Sequence, residues 1–457
     1  MRANLGRHAA TLGLALACAA TASAQVGVSF NRTGSGARAA GMANAFIAVS
    51  DDGTAASWNP SGLAQLRKPE LSIVSTTSGD SASVSGFRTR DDLASFSSAD
   101  SAYRSTYPDF ASLAVPVTLW KKPVTFQAAW RRLYSLDYRE KLQLTRVPLS
   151  ASAPPPVRFQ TDSDVVGSVD LFSAAAAVQL TSHLSIGGSY NFWRGDWDEA
   201  HLRSATPLDA PGVTEFVNVS QTSRVRGQSF MLGAMLAYPR FSVGLVYLDP
   251  LVSDFDSSAR GVTSVSEGDI TQVLDGELHF PRAFGIGGAW RPATRWTVAL
   301  DFTWDDWSET FLDTPTTGRV GLFDGVPLEH SASRDTWTMN AGAERLFAGD
   351  GFVVPLRFGL AWEPQGARDA YTRDSVDFVL VAVGTGYNTN SLKFDAAFQY
   401  RWASFESGAE FGPSDASPLL PTAVGERRNS QWRLKLSVIL RVTDTDKLKR
   451  ALGKIFG

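Results

Sequence analysis

The chain has 457 residues and a formal net charge of −3, and its 13 Trp, 27 Phe, 10 Tyr and 39 Gly make it rich in aromatic residues and glycine. This slight negative charge argues against a basic nucleic-acid-binding protein. Beyond the N-terminal 24 residues, no apolar run approaches the roughly 20 residues that a membrane-spanning helix needs, so a helical membrane protein is also excluded.

The first 24 residues have the organisation of a signal peptide. Arg2 and Arg7 give a positive start, residues 9–20 are largely apolar, and Ala22-Ser23-Ala24 forms an A-x-A cleavage site. Cleavage removes two arginines, which changes the formal charge from −3 to −5. A lipoprotein acylated at Cys18 is the alternative. If the A-x-A site is used, the exported chain has no cysteine and forms no disulfide.

Residues 34–63 are the least strand-like part of the exported chain. Helical spacing of small and apolar side chains predicts a first short helix. A second short helix is expected to begin at Asp51 and Asp52, whose carboxylates suit N-caps, and to end at Asn59-Pro60, because the residue before proline avoids the helical region. The side chains that suggest the first helix are Ala39, Met42, Ala43 and Phe46.

Residues 64–442 are the predicted barrel, and from about Pro69 onward the hydrophobic pattern has a period of two, as in β-strands. In 295–304 every second residue is apolar and the residues between are mostly polar, and the ranges 392–402 and 432–441 repeat the arrangement. Trp and Tyr lie near strand ends, as at Trp296, Trp304, Tyr400, Trp402 and Trp432. A soluble sandwich shares the alternation, but aromatic girdles favour a transmembrane β-barrel.

The segments number about fourteen, an even number, as in bacterial outer-membrane barrels. Tight turns are expected at Gly349-Asp350 and Tyr238-Pro239, and long polar external loops at 80–105, 139–164, 198–216, 250–272, 309–332 and 406–428. The sequence therefore predicts an all-β transmembrane antiparallel barrel preceded by a compact N-terminal element. Residues 443–457 form a basic tail with the pattern of a short periplasmic amphipathic helix, which leaves the position of the assembly signal open.

The chain resembles the outer-membrane hydrophobic-compound transporters, which include the long-chain fatty acid transporter and the toluene and xylene channels. The resemblance begins with a Gly/Ala-rich run, Gly36 to Gly41, an acidic pair, Asp51-Asp52, and the turn Asn59 to Leu63. It continues in the blocks Pro281 to Trp307 and Pro355 to Tyr400.

The resemblance implies a fourteen-stranded barrel in the outer membrane of a Gram-negative bacterium, with residues 25–63 as a helical plug, or hatch, in the lumen. It also implies passive transport of fatty acids or aromatic hydrocarbons, often with release through a lateral opening. The hatch and gating candidates are Phe46, Asp51, Asp52, Asn59 and Pro60, although the aspartates also suit a capping role and Asn59-Pro60 a simple helix stop.

Lumen-facing cations are the candidates for orienting a substrate headgroup: Arg131, Arg357, Lys393, Arg401 and Arg433. Each of them also suits a structural ion pair with Asp301, Asp395 or Glu363. Outer-membrane lipid and the barrel assembly machinery are the expected partners besides hydrophobic small molecules, and no nucleic acid is expected.

Three other functions remain open from the sequence. An outer-membrane enzyme is disfavoured because His183, His201, His279 and His330 lie in no recognisable Ser or Asp motif, and neither a cofactor nor a metal site is indicated. A barrel that docks or secretes exported proteins is the main alternative. A general diffusion porin would show a wide lumen and large ion conductance.

Overall fold

A computed structural model describes residues 31–442, except residues 32, 90, 120, 154, 213, 265–268, 370 and 410–422. The leader predicted over 1–24 and the basic tail predicted over 443–457 lie outside the described residues.

Fourteen long strands form the barrel wall. Three of them are interrupted and consist of two segments each. The strands are β1 (Glu70–Thr89), β2 (Ala99–Leu119), β3 (Lys122–Ser135 and Tyr138–Pro148), β4 (Val157–Gln179), β5 (Leu184–Pro207), β6 (Glu215–Ala237), β7 (Phe241–Leu248 and Leu251–Thr263), β8 (Ile270–Phe280 and Ala283–Trp290), β9 (Trp296–Asp305), β10 (Thr336–Ala348), β11 (Val353–Arg368), β12 (Ser375–Asn388), β13 (Leu392–Ala409) and β14 (Ala423–Arg441).

Each strand pairs antiparallel with the next strand in the chain, and β14 pairs with β1 from Glu70↔Arg441 to Thr89↔Ala423. This last pairing closes the sheet, so both edges of the sheet are paired with each other. The predicted all-β antiparallel barrel of about fourteen strands is confirmed.

The alternation along the strands separates a lipid-facing surface from the lumen. On β13, Phe394, Phe398 and Tyr400 are exposed on the outside, whereas Asp395 and Gln399 are buried inside. Outward aromatic side chains form two rows: a lower one near the short turns, with Trp290 and Trp296, and an upper one, with Trp304, Trp337, Trp362 and Trp402. These rows match the two interfaces of a membrane.

The prediction of long external loops is largely wrong. Most of 80–105 and 139–164 continues the strands β1 to β4, and 198–216 and 250–272 likewise extend β5 to β8. Above the membrane both faces of a strand meet polar surroundings, so the apolar alternation that marks a strand disappears although the backbone pairing continues. Three short strands lie outside the fourteen: Ala94–Phe96, Phe311–Thr314 and Gly318–Gly321.

The N-terminal segment is less helical than the spacing predicted. The α-helix of its described part, α1, spans Ala37–Gly41, and Ala43 and Asn44 then adopt positive φ angles of 49° and 68°. This left-handed turn ends the helix before Phe46. Single 3₁₀ turns follow at Ala55–Ser57 and Pro60–Gln65, and two more lie at Trp307–Glu309 and Leu328–His330.

The predicted caps are also corrected. Asp51 pairs with Arg38, and Asp52 accepts hydrogen bonds from the Thr54 amide and hydroxyl in the turn before the Ala55–Ser57 segment. Asn59 caps the second 3₁₀ turn, with Pro60 at its first position, so this pair begins a helical turn.

Within the described ranges, no helix is long and apolar enough to cross a membrane.

Candidate functional site

Residues 33–66, which we call the plug segment, lie inside the barrel and are almost entirely buried. Wall side chains bond to its backbone from opposite sides of the barrel. The Ser112 hydroxyl of β2 and the Gln127 amide of β3 donate to the Gly53 carbonyl, at 2.7 and 2.6 Å. Across the lumen, Asn340 of β10 donates to the Ala43 carbonyl at 2.7 Å. The plug segment therefore spans the lumen from wall to wall.

Asp301 accepts hydrogen bonds from the plug backbone. One carboxylate oxygen accepts hydrogen bonds from the amides of Phe46 and Ile47, at 2.6 and 2.7 Å, and the aspartate is buried. Without this acceptor the two amides would be buried without a partner, which is costly. The sequence suggested Asp301 as an ion-pair partner, whereas the structure gives it two backbone amides of the plug.

Asn59 joins two parts of the plug to the wall. Its amide nitrogen donates to the carbonyls of Ile47, at 3.1 Å, and Ala234, at 3.2 Å. Its carbonyl oxygen accepts from the Ser61 amide, and the whole side chain is buried. The Asn59-Pro60 turn is therefore fixed on the inside of β6.

Wall glycines let the plug backbone approach the strands closely. A Cβ at Gly359 would lie 2.4 Å from the Ala43 nitrogen, and one at Gly244 would lie 2.6 Å from the Ile47 carbonyl oxygen. Both distances are far below a normal contact, so a larger residue would push the plug away. The glycines that face the plug in this way are Gly187, Gly233, Gly244, Gly287, Gly342, Gly359 and Gly384.

An ion cluster fastens the plug to the wall. Arg38 of α1 pairs with Asp51 and, at 3.0 Å, with Glu344 of β10. Glu344 also pairs with Arg357 at 2.7 Å, and Arg357 reaches Asp395 at the same distance. Because each buried charge has an opposite partner, the desolvation cost of the cluster is offset.

Asp52 belongs to the same region of the plug. Burial by itself raises the pKa of this carboxyl, but the positive charges of Lys393 and Arg38, with the hydrogen bonds from Thr54, outweigh it and lower the pKa below its ordinary value. Asp52 is therefore charged at neutral pH.

The five cations proposed for headgroup binding have different surroundings. Arg357 is paired as described above, and Arg401 lies 3.5 Å from Glu363. Arg131 donates to the plug carbonyls of Ser57 and Thr33. Lys393 is buried near Asp52. Arg433 lines a cavity and forms no ion pair with any carboxylate among the described residues.

The wall has a window between β2 and β3. Their backbone pairing runs from Leu119↔Lys122 up to Phe110↔Arg131. Above that point, the described part of β2 pairs with β1 alone, while β3 bends inward and keeps pairing with β4. The short strand Ala94–Phe96 closes the window at the top by pairing with Arg146 to Pro148.

Side chains bridge this window in place of backbone hydrogen bonds. The Arg132 guanidinium lies 5.6 Å from the centre of the Tyr107 ring, and that of Arg139 lies 5.9 Å from the centre of the Tyr103 ring. Such cation–π contacts contribute about 0.5–1 kcal/mol at exposed sites. The Lys141 amide also donates a hydrogen bond to the Ser101 hydroxyl at 3.0 Å. Separate side-chain contacts, and not a backbone ladder, therefore join the two sides of the window.

Behind the window lies a polar chamber of about 70 Å³. It exceeds the ~10–15 Å³ that one water molecule needs. The lining residues come from the plug segment and from the strands beside the window, and include Tyr107, Asp109, Arg132, Tyr138, Arg433 and Lys435. Lys435 pairs with Asp109 at 2.9 Å. Arg433 forms no ion pair with a described carboxylate, although the carboxylates of Asp80, Asp137 and Glu363 also line the chamber.

A large apolar cluster adjoins the chamber. Tyr134 and Tyr138 line the chamber and also belong to this cluster, which includes Trp193, Phe280 and Trp307 in the lumen above the plug. Polar and apolar surfaces therefore meet at the inward bend of β3. This arrangement suits a ligand with a polar head and an apolar body.

The histidines have local partners. His201 is buried between the Ser163 hydroxyl and the Glu199 carboxylate, each at 3.1 Å, a contact that local sequence could not reveal because Ser163 lies on β4 and His201 on β5. All three side chains are at most 6% exposed, which leaves little surface for a substrate. His183 stacks on Tyr238 near a short turn, with ring centres 4.2 Å apart.

Three features of the site were not predicted from the sequence: the ion pairs of Arg38, the hydrogen bonds from the plug backbone to Asp301, and the window. A glycine on the lumen face of successive strands was a usable signal for close plug contact. The window had no local signal, since it depends on which backbone groups of β2 find partners.

Among the described residues, no group of three or more His, Cys, Asp or Glu side chains could hold a metal ion.

A closed barrel with two aromatic rows and a filled lumen defines a plugged transport barrel of the Gram-negative outer membrane. The model of the outer membrane protein transport family (OMPP1/FadL/TodX) matches residues 150–415, more than half of the chain. The chain therefore belongs to this family, whose members are transport channels.

Solved structures show the same fold. A FadL homologue of Pseudomonas aeruginosa aligns with a TM-score of 0.64 at 14% identity, over 91% of this chain and 99% of that one. The toluene transporter TodX of P. putida gives 0.58 at 14% identity, over 91% and 100%. The toluene transporter TbuX of Ralstonia pickettii gives 0.54 at 13% identity, over 90% and 99%. No curated protein matches the chain by sequence.

Proposed function

We propose that the chain carries hydrophobic compounds passively across the outer membrane, and that its preferred substrates are fatty acids rather than uncharged aromatic hydrocarbons. Family membership and the fold shared with a FadL homologue and with toluene transporters support the general function. The choice of substrate rests on Arg433, a cation with no ion pair to any carboxylate of the described residues, in a polar chamber beside a large apolar cluster.

A fatty acid matches both surfaces. Its carboxylate would accept charge-assisted hydrogen bonds from Arg433, and its chain would lie along the apolar cluster near Tyr134 and Tyr138. A toluene-like compound offers the cation only a cation–π contact with its ring face, and filling that chamber with an apolar group would leave polar groups unsatisfied.

The plug segment and the window define the proposed route. The plug occupies the lumen between the chamber and the short-turn end, with Phe46, Asp51, Asp52, Asn59 and Pro60 as its gating residues. A substrate in the chamber lies directly behind the window between β2 and β3, so release through the wall into the membrane is favoured over passage through a tightly docked plug. No hydrolytic step is part of this proposal.

The test is uptake in a transporter-deficient strain that expresses the full chain. Replacing Arg433→Gln is expected to lower long-chain fatty acid uptake about tenfold or more, because a charge-assisted hydrogen bond to a buried group contributes about 1.5–3 kcal/mol. Uptake of toluene should change little. Arg226→Gln, on the outside of β6, is the control for expression and assembly.

The outcomes are distinct. Unchanged fatty acid uptake in the Arg433→Gln variant would contradict headgroup binding by Arg433. An equal loss for fatty acid and toluene would contradict the preference for fatty acids. If the unaltered chain carried neither compound and instead conducted large salt-dependent ion currents, the transport proposal itself would be wrong.

A further inference from the structure

The outer surface of the barrel has a notch where β13, β14, β1 and β2 meet at the level of the upper aromatic row. In one row of directly paired positions, Trp402 is followed by Ser430, Ser81 and Ala102. In the opposite direction from Trp402, the same row continues with larger apolar residues, Val379, Trp362 and Met339. Three small residues in succession leave a depression of about 710 Å³ in the outer surface.

The walls of the notch are aromatic on one side and polar above. Trp402 and Tyr400 stand on β13 with ring centres 5.7 Å apart. The row above the floor carries Asp100 and Arg428, and Arg428 pairs with Glu426 at 2.9 Å. The hydroxyls of Ser81 and Ser430 on the floor have no hydrogen-bond partner within the described chain.

Arg104 supplies a positive charge below the floor. It is exposed on β2 and lies 5.4 Å from the centre of the Trp432 ring, which covers Gly79 of β1. No described carboxylate pairs with Arg104. The guanidinium is therefore held in place by an aromatic face while its N–H groups stay free for an anion.

We propose that this notch binds the phosphorylated sugar headgroup of a lipopolysaccharide molecule of the outer leaflet. The notch lies at the outer interface of the membrane, where such headgroups are found. A sugar ring has an apolar face that packs on Trp402, and hydroxyls that bond to Ser81, Ser430 and Asp100. A phosphate group pairs with Arg104. This inference is independent of which substrate the lumen carries.

A phospholipid fits the notch less well. Its headgroup is small and has no ring to cover an indole, and it would leave most of a 710 Å³ depression to water. The neighbouring tryptophan at the same level, Trp362, offers a matched comparison, because both Trp362 and Trp402 are 41% exposed but the strands next to Trp362 carry bulky side chains.

The experiment measures binding of a short-chain lipopolysaccharide to the purified full chain in detergent, by native mass spectrometry and by thermal shift. Trp402→Ala and Arg104→Gln should each weaken binding at least fivefold, and Trp362→Ala should leave it unchanged. Ser430→Phe, which fills the floor from an outward strand position, should abolish binding while the barrel stays folded and heat-modifiable.

Two further comparisons decide the ligand. Removing the phosphates from the lipopolysaccharide should weaken its binding to the unaltered chain. The Arg104→Gln variant should bind the dephosphorylated ligand as well as the unaltered chain does. The proposal is overturned if Trp362→Ala weakens binding as much as Trp402→Ala, if Ser430→Phe binds normally, or if phosphatidylethanolamine competes as well as lipopolysaccharide.

Discussion

At the scale of single residues, the plug segment is held by charges that reach it from distant strands. Arg38 is joined to Glu344, and Asp301 accepts two plug amides. These contacts connect positions more than 250 residues apart in the chain. Buried polar groups are costly when unpaired, so each of these contacts both stabilises the docked plug and penalises its release.

The pKa shift of Asp52 predicts how plug docking depends on pH. Its pKa in the folded chain is lower than the ordinary value near 4. The stabilisation from ionised Asp52 is therefore complete above about pH 4 and is lost as the pH falls through the lower, folded value. Ion conductance in planar bilayers should stay low at neutral pH and rise only below about pH 4.

The matched variants separate Asp52 from general acid effects. Asp52→Asn should raise conductance already at neutral pH, whereas Asp254→Asn, exposed on the outside of β7, should behave like the unaltered chain. A conductance that rises in the range of pH 5 to 6 in the unaltered chain would contradict the direction of the shift.

At the scale of elements, the plug packs closely against the strands because glycine and alanine occupy the positions where the two meet. The wall glycines bring plug backbone close to strand backbone, so no strand side chain lies between the plug and the wall at these positions. Small residues in the plug serve the same end: Ala39, Ala43 and Ala45 are fully buried. Close packing of this kind tolerates little added volume.

Two neighbouring glycines of β8 test this fit. A Cβ at Gly287 would lie closest to the Asp301 carboxylate that binds the plug, 2.8 Å from the Ile47 Cβ and 3.0 Å from the Ala48 nitrogen, whereas one at Gly288 would meet nothing within 4 Å. Gly287→Ala should displace the plug at a cost of about 1–3 kcal/mol. The expected readouts are higher bilayer conductance and faster proteolysis at residues 44–50.

Gly288→Ala is the control and should change stability by less than about 0.5 kcal/mol. Equal effects of the two substitutions would show that the loss of glycine in the strand, and not contact with the plug, is responsible.

At the scale of the whole molecule, barrel closure and plug docking are separable. The wall is closed by backbone hydrogen bonds between neighbouring strands, including β14 and β1, and needs no plug residue for this pairing. The plug adds contacts to the inner face alone. At the window between β2 and β3 the backbone pairing of the described strands stops, and side chains bridge it.

Deleting residues 33–66 should leave a folded, heat-modifiable barrel with a large ion conductance. Charges such as Asp301 and Glu344 would then face water in an emptied lumen, so they would not penalise folding. Single-channel recording and gel mobility with and without heating measure the two properties. Unchanged conductance would contradict an occluding role for the plug, and loss of heat-modifiable mobility would contradict separability.

The sequence by itself determined the barrel, its strand number and the compact nature of the N-terminal segment. Alternation with a period of two is a local property of each strand, and lipid on one side enforces it, so residues such as Trp296 to Trp304 could be interpreted without any partner. Above the membrane the alternation is lost, because water on the outer face removes the need for apolar side chains there.

The tertiary structure alone decided which polar groups meet. Five lumen cations looked alike in the sequence, but Arg357 and Arg401 have carboxylate partners, Arg131 bonds to the plug, and Arg433 faces the chamber. These assignments depend on strand register and on the path of the plug through the lumen. Both are fixed by contacts between residues that are remote in the sequence, where a local pattern carries no information.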